Sequence, residues 1–574
     1  MKKITILLLF TIYVNNYTFA ANNTDLLLQQ RLENIKLQKE IKNAEDFKKN
    51  NSVEKIKKVN DTKKKVEEEC FKINKIEIIN KSKKLKTRKI EKIVNKKYLN
   101  KCFSVDNLES LRSEVNRYYI KKGYSTTIVG FDSDSLKNKI IKLIVKESYI
   151  NNIEIENEKH SNLKTFFLFP FIKGKVLNLR DIEQGLDQFN RLSSNNGTMD
   201  IIDDKVIIKN QKSKNYNFSL NYNNSGNETN GLYQLNTSFN LDNPLLINDN
   251  FYINYSDTIT NHDNKYSKSI YLSYSIPFGY WTYSFNFSNS KYYNKTKGIT
   301  NVIIDYSGNT NTYNSSLDKV LYRNSFYKLN SNIELEVIDK VSKIRNTNIN
   351  NSTYKISNIK LSFNNTFNIN NGIIIIKPTF QKGINILDSD KDKTYKNDGI
   401  AKNDYELYKL FVYFNKYITS LNSFYTFQFN GQYTNKTLYS SNQFSIGGES
   451  TVRAFRDTSL SGDRGFLIKN ELSTYLSNIK YINTFFKNNL FLKTKIGIFV
   501  DYGLVNDKYD DKYDIYDSKT GQLADVGINL KYNSKYFNYS LTYAKSIFAS
   551  DFVKKKFENN KMEESIWFSV GIEY

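Results

Sequence analysis

The last ten residues, SIWFSVGIEY (Ser565 to Tyr574), decide the fold. Ile566, Phe568, Val570, Ile572 and Tyr574 share one face of an extended chain, and Trp567, Ser569, Gly571 and Glu573 share the other. Successive side chains of a strand point to opposite faces. An apolar face backed by a mixed polar face, ending on an aromatic residue, is the pattern of a strand between lipid and an aqueous lumen. The same texture, rich in Tyr, Phe, Thr, Ser and Asn, runs back to about Tyr216. It predicts strands at 214–224, 230–241, 249–258, 267–277, 280–291, 300–313, 324–339, 353–369, 373–382, 404–418, 421–435, 465–478, 489–504, 520–532, 536–547 and 563–574. That even number fits a bacterial single-chain barrel. Connections mostly alternate short (Phe278-Gly279, Asn370 to Gly372, Asn533 to Lys535) and long (Gly383 to Asn403, Lys436 to Arg464, Val505 to Lys519). A soluble sandwich does not need that alternation. With both barrel ends periplasmic, Lys436 to Arg464 is the sixth outside loop and the longest.

That loop carries IGGESTVRAFRDTSLSGDRGF, Ile446 to Phe466. Arg453, Arg456 and Arg464 stand here in a chain with only eleven arginines. A guanidinium offers a planar fork of donors that lysine cannot reproduce. Two readings of Arg453 stay open: a solvated loop charge, or a pin holding the loop inside the barrel. On Leu490 to Leu504, alternation puts Leu492, Ile496, Ile498, Val500 and Tyr502 outward and Lys493, Lys495, Gly497, Phe499, Asp501 and Gly503 inward. On the preceding strand Glu471 shares a face with Lys469 and Ser473. Asp501 and Glu471 are therefore candidate partners of Arg453.

The start of the chain has the layout of a secretory signal peptide. Lys2 and Lys3 precede an apolar run, Ile4 to Val14, and Thr18-Phe19-Ala20 precedes Ala21. The run is too short to span a bilayer, which takes about 20 residues. Export argues against nucleic acid as the partner behind the formal charge of +25, whose lysines spread over the whole length. Two histidines (His160, His262) and two cysteines offer no metal cluster.

Asp25 to Ile41 reads as one amphipathic helix, with Leu28, Leu32 and Ile35 at helical spacing. It is either an ordered tail or a removable element docked elsewhere in the molecule. Lys42 to Glu69 reads as a linker too polar to bury a core. Then come two small α+β units. The first has strands at Ile73 to Ile79, Ser125 to Gly130 and Lys139 to Val145. Its helix, Asp106 to Gly123, has an apolar face of Leu108, Leu111, Val115 and Tyr119. An exported setting favours pairing Cys70 with Cys102, a loop closure worth about 3–4 kcal/mol in the chain-entropy picture. The second unit has a strand at Ile153 to Ile155 and the helix region Leu177 to Leu192, with Ile182, Leu186 and Phe189 on its buried face. Two strands follow, Gly197 to Ile202 and Lys205 to Lys209. Such tandem units can take an extended partner as an added strand.

These residues together resemble the outer-membrane transporters of two-partner secretion, of the haemolysin secretion/activation type within the wider barrel-assembly superfamily. CFKINKIEI from Cys70, Cys102 and KKGYSTT (Lys121 to Thr127) resemble the first periplasmic POTRA domain of that type. LNLRDIEQGLDQFNRL resembles the helix of the second, and TNGLYQ with LDNPL the first barrel hairpin. TVRAFRD with SGDRGFLIKNEL resembles the sixth-loop signature, and FVDYG, Phe499 to Gly503, the strand motif that meets it. The family usually has Gly after the loop arginine, where this chain has Ala454.

The resemblance implies a signal peptide (1–20), a plug helix (21–50), a linker (51–69), two POTRA domains (70–149, 150–212) and a 16-stranded barrel (213–574) with its sixth loop at 436–464. It implies a monomeric barrel in outer-membrane lipid that exports one large β-helical exoprotein, whose amino-terminal secretion domain docks on the POTRA pair. The residues implicated are Val452, Arg453, Ala454, Phe455 and Asp457 in the loop, with Asp501 and Glu471 as its lumen partners. In the second POTRA domain, Arg180, Asp181, Asp187, Asn190 and Arg191 would contact the exported partner. No enzymatic activity and no cofactor are implied. Rival readings are a barrel-assembly factor, which the loop and FVDYG motifs alone would fit, and a passive porin, which leaves the periplasmic domains without a role.

Overall fold

The computed structural model describes residues 30–48, 72–99, 103–132, 139–156, 158, 161–202, 204–259, 264–297, 303–392, 400–480, 482, 489–507, 520–556 and 562–574. The signal peptide, the linker at 51–69, and Cys70 and Cys102 with their expected bridge lie outside these residues.

Two periplasmic units share one topology. In the first, Lys75–Asn80 pairs parallel with Ile140–Lys146, which pairs antiparallel with Ile128–Phe131. In the second, Asn152–Ile155, Lys205–Asn210 and Gly197–Ile202 repeat that order and direction. Helices Arg88–Tyr98 and Val105–Lys121 cover the first sheet, and Ser161–Leu168 and Leu179–Asn190 cover the second. Arg88–Tyr98 and Ser161–Leu168 were not expected from sequence. The first buries only Ile90 and Val94, an i,i+4 pair in a lysine-rich run, which is a faint periodic signal. Leu111, Val115 and Tyr119 fill the first core as expected, beside Ile76, Ile141 and Leu143. Ile182 and Phe189 join Ile155, Val206 and Ile208 in the second.

Gly123 does more than end its helix. At φ +95° it adopts the left-handed conformation that glycine tolerates. A Cβ there would stand 2.1 Å from Asn178 Oδ1. Asn178 caps Leu179–Asn190 by accepting from the Arg180 amide, and Leu179 N–H donates to the Gly123 carbonyl at 2.7 Å. The turn of one unit thereby holds the helix start of the next.

From Tyr216 onward sixteen antiparallel strands close into a barrel. Each expected strand has a counterpart, with shifted ends. The expected 300–313 extends over Ile303–Arg323, and 489–504 starts only at Lys495, after a helical turn at Asn489–Leu492. Leu492 and Lys493 are therefore not strand residues. Closure joins Glu564–Glu573 to Tyr216–Asn223 over five residue pairs, Ser569↔Asn223 to Glu573↔Ser219. Strand lengths differ around the ring. Tyr216–Asn223 has 8 residues and Glu564–Glu573 has 10, whereas Trp281–Lys297, Ile303–Arg323 and Tyr327–Ile344 have 17, 21 and 18. Ile566, Val570, Ile572 and Tyr574 face outward and are well exposed, while Trp567 is buried inside.

The second periplasmic unit sits against the barrel's near turns. Gln184 and Gln188 donate to the Gly279 carbonyl, each at 3.2 Å, and Tyr280 donates to Asp181 at 2.6 Å. Phe166, Phe167 and Phe171 pack edge-on around Phe278.

Residues 30–48 form a helix within the bore. It extends past Ile41, where the residue pattern alone predicts a linker and the resemblance implies a plug helix to residue 50. Ala44 and Phe47 continue the Leu37, Ile41 spacing and are buried, 4% and 2% exposed. The polar residues between them mislead because the wall they meet is itself polar.

Candidate gating site in the barrel lumen

The sixth outside loop turns back into the barrel. Phe444–Ile446 and Leu460–Gly462 pair as a short hairpin, and the segment between them forms a tight fold against the wall. Gly447 (φ +96°) and Gly448 (φ +114°) begin this fold. A Cβ on Gly447 would lie 2.3 Å from the Thr458 carbonyl.

Arg453 is at the centre and is only 6% exposed. Its Nε donates to Asp501 Oδ2 at 2.6 Å and its Nη2 to Asp501 Oδ1 at 3.0 Å, a two-pronged pair. Nη1 reaches Glu471 Oε2 at 3.3 Å. The guanidinium lies 3.3 Å from the centroid of the Phe499 ring. Its own carbonyl accepts from Trp567 Nε1 at 2.7 Å. The wall explains this convergence. Phe499 and Asp501 are inward positions on Lys495–Asn506, and Glu471 lies directly across from Phe499 on Arg464–Tyr475.

Asp525 is a member that sequence reasoning did not find. It stands directly across from Asp501 on Thr520–Asn533. Two facing carboxylates repel; here Arg453 takes one, and the Ala454 N–H donates to the other at 2.6 Å. Finding Asp525 needs the strand register across 508–519, which alternation does not supply. Ser565, which donates to the Ala454 carbonyl at 2.7 Å, needs the closing strand in place.

The remaining loop residues each have a distinct seat. Val452 and Phe455 are buried with Ile446, Leu460, Leu467 and Phe499. Gly503 makes room for them: a Cβ there would lie 2.8 Å from Ile446 and 3.1 Å from Val452. Ala454 is fully buried and is absent from the positive-φ positions, so its methyl sits in the apolar cluster without backbone strain. Asp457 accepts from the Glu228 amide at 2.9 Å, tying the sixth loop to the first. The other two arginines also bind inside the protein. Arg456 lies over Trp567, 4.2 Å from the ring centroid, and Arg464 donates to the Thr434 carbonyl at 2.7 Å.

The amino-terminal helix touches both loop and wall. Gln30 donates to Ser445 at 2.7 Å, and Arg31 donates to Gln234 and to the Ser225 carbonyl. Glu40 pairs with Lys377, and Glu33 lies 3.8 Å from Lys409. Leu37, Ile41 and Ala44 pack on Ile373, Ile375, Phe411 and Tyr413. A cavity of about 730 Å³ remains on one side of the helix, with Asn34, Gln38, Lys469 and Glu471 in its lining. Another of about 320 Å³ lies on the other side.

The five residues expected to contact an exported partner do not form one free face. Asp181 binds Tyr280 of the barrel. Asp187 binds Arg323 at 2.9 Å and Lys328 at 3.2 Å. Arg191 donates to Ser275 at 2.6 Å and to the Asn248 carbonyl at 2.8 Å. Asn190 is bonded to Gly197 within its own domain, and Arg180 pairs with Glu183. Asp181, Asp187 and Arg191 thus face the barrel joint, while Arg180 and Asn190 keep partners within their own unit. The resemblance that implies these residues in partner contact does not say which of them dock on the barrel.

Comparison with known proteins gives a consistent result. The family model for the haemolysin secretion/activation protein ShlB/FhaC/HecB matches residues 204–531. A ShlB-type POTRA model matches 71–148 and a second POTRA model matches 149–202. The outer membrane transporter CdiB of Dickeya dadantii (strain 3937) is 28% identical over 392 residues, covering 66% of this chain and 68% of that protein. The hemolysin transporter protein ShlB of Serratia marcescens is 26% identical over 382 residues, covering 65% and 67%. Among solved structures, CdiB from Escherichia coli superposes with a TM-score of 0.82 at 21% identity, over 96% of this chain and 98% of that one. At that identity the likeness speaks for the fold.

Proposed function

The chain belongs to the haemolysin secretion/activation protein family ShlB/FhaC/HecB, and from that membership we propose a resting-state mechanism for its work in two-partner secretion. It is an outer-membrane transporter with its POTRA domains in the periplasm, and its partner is a large exoprotein. In this reading the bore is held closed by two removable pieces of the chain itself, helix 30–48 and the sixth loop. The observation that carries it is their joint seating: Arg453 locks the loop on Asp501 and Glu471, while Glu40 and Ile41 hold the helix on the wall. Because the helix Leu179–Asn190 is committed to the barrel, the exported partner docks elsewhere on the periplasmic pair. The open edge Ile128–Phe131, with Ile128 66% exposed, suits addition of its amino-terminal segment as a strand. The barrel works as a monomer in lipid and catalyses no reaction; folding of the partner outside supplies the drive.

The test is export. The large secreted protein encoded beside this chain is expressed with and without it, and the medium is assayed. Export that depends on this chain, with other outer-membrane proteins assembling normally in its absence, is the expected result. A general loss of outer-membrane proteins instead would identify a barrel-assembly factor.

A further inference from the structure

The lumen wall carries an apolar strip that a polar bore does not need. Barrel interiors of this kind are polar. Ile373 and Ile375 of Gly372–Ile384, and Phe411 and Tyr413 of Glu406–Ile418, nonetheless point inward and are 2%, 0%, 8% and 7% exposed. Ile375 stands across from Tyr413 and Lys377 across from Phe411, with Lys409 across from Thr379. The outward neighbours Tyr408 and Leu410 are 52% and 40% exposed, as lipid-facing residues should be. The strip is dry only because Leu37, Ile41 and Ala44 cover it, and Lys377 meets Glu40 of the same helix.

Withdrawal of the helix would therefore uncover four apolar side chains flanked by two lysines. Lys360, the neighbouring cation, keeps wall carboxylates of its own, Glu334 at 3.0 Å and Glu336 at 2.8 Å. We propose that this strip is a binding track for the exported chain, engaging extended segments that combine acidic and apolar side chains, with the helix as its resting stand-in. The inference rests on the transporter reading. From Ile373 to Thr379 the strip is about 20 Å long at about 3.3 Å per residue, the reach of about six extended residues. An extended chain presents side chains at the same period as the wall strand, so apolar residues can meet Ile375 and Tyr413 while acidic ones meet Lys377 and Lys409.

The experiment uses the full chain carrying Glu40→Lys and Ile41→Asp, which sets charge against Lys377 and a carboxylate against the apolar strip. In planar bilayers, short unfolded peptides of alternating Glu/Val, Lys/Val or Glu/Ser are added from the periplasmic side, and block of the current is recorded. Glu/Val should block at concentrations at least about tenfold below the other two. Adding Lys377→Gln with Lys409→Gln should erase its advantage over Lys/Val, and Phe411→Ser with Tyr413→Ser its advantage over Glu/Ser. Equal block by all three peptides, or a preference that neither pair of substitutions moves, overturns the track. Selective block without export of the large partner by the unmodified chain would sink the transporter reading alone; export with unselective block would sink the track alone.

Discussion

Arg323 and Asp187 meet at 2.9 Å across the joint between the barrel and the second periplasmic domain, and Phe47 of the lumen helix closes over the same arginine, 5.8 Å from its guanidinium carbon to the ring centroid. Three parts of the chain converge on one cation. Arg323 is nearly fully buried and also donates to Gln184 at 2.9 Å. Lys328 shares the Asp187 carboxylate at 3.2 Å and also faces the Phe47 ring, 5.4 Å from its centroid.

Replacing Arg323 by Ala should loosen this joint without preventing barrel insertion. Removing one partner of a buried ion pair costs about 3–5 kcal/mol, because the other charge is left unpaired. Amide hydrogen exchange in Leu179–Asn190 should rise in the variant. Unchanged protection there would show that Gln184, Gln188 and Arg191 hold the domain alone.

Arg453→Ala should leave the barrel inserted and heat-modifiable on gels while export falls at least about tenfold. Arg453→Lys should recover only part of the loss, since one ammonium cannot serve both Asp501 oxygens and Glu471 at once. Full export by the lysine variant would mean that charge alone suffices.

Gly503→Val tests the seat rather than the charge. Its side chain would intrude on Ile446 and Val452, the two apolar residues that flank the loop's turn into the lumen. Single-channel recordings should show larger and noisier conductance than the unmodified chain. A quiet, closed channel would show that the loop can shift to accommodate the added methyl groups.

Glu40→Lys should raise conductance by placing like charges together at Lys377. The double exchange, Glu40→Lys with Lys377→Glu, should return it toward the resting level, because the pair is restored with its sign reversed. Failure of the double variant to close would locate the helix's hold in Ile41 and Ala44 instead.

Much of this was readable from the residues, for a physical reason. Strands of a lipid-facing barrel must alternate, so all sixteen could be placed, and the inward phase put Asp501 and Glu471 on the lumen side, where Arg453 finds them. What escaped depended on register or on docking. Asp525 is found only with the register between Lys495–Asn506 and Thr520–Asn533, and Trp567 reaches the Arg453 carbonyl only once the closing strand is in place. The apolar spacing alone ends the helix at Ile41, because Lys42 to Lys48 looks too polar to pack, yet Phe47 needs only one buried seat. The resemblance implies partner contact at Arg180, Asp181, Asp187, Asn190 and Arg191, and nothing in the sequence announces that the barrel's own turns bind Asp181, Asp187 and Arg191.

The uneven strand lengths give the outer surface a direction. A strand of 21 residues runs about 70 Å, against an apolar band only about 25 Å tall. Its periplasmic end is fixed by Arg323 at the joint, so the surplus stands outside the cell, shared with the neighbours that pair with it. The closing strands, at 8 and 10 residues, have no such surplus. The barrel wall is therefore taller along Trp281–Lys297, Ile303–Arg323 and Tyr327–Ile344 than at the seam between Glu564–Glu573 and Tyr216–Asn223.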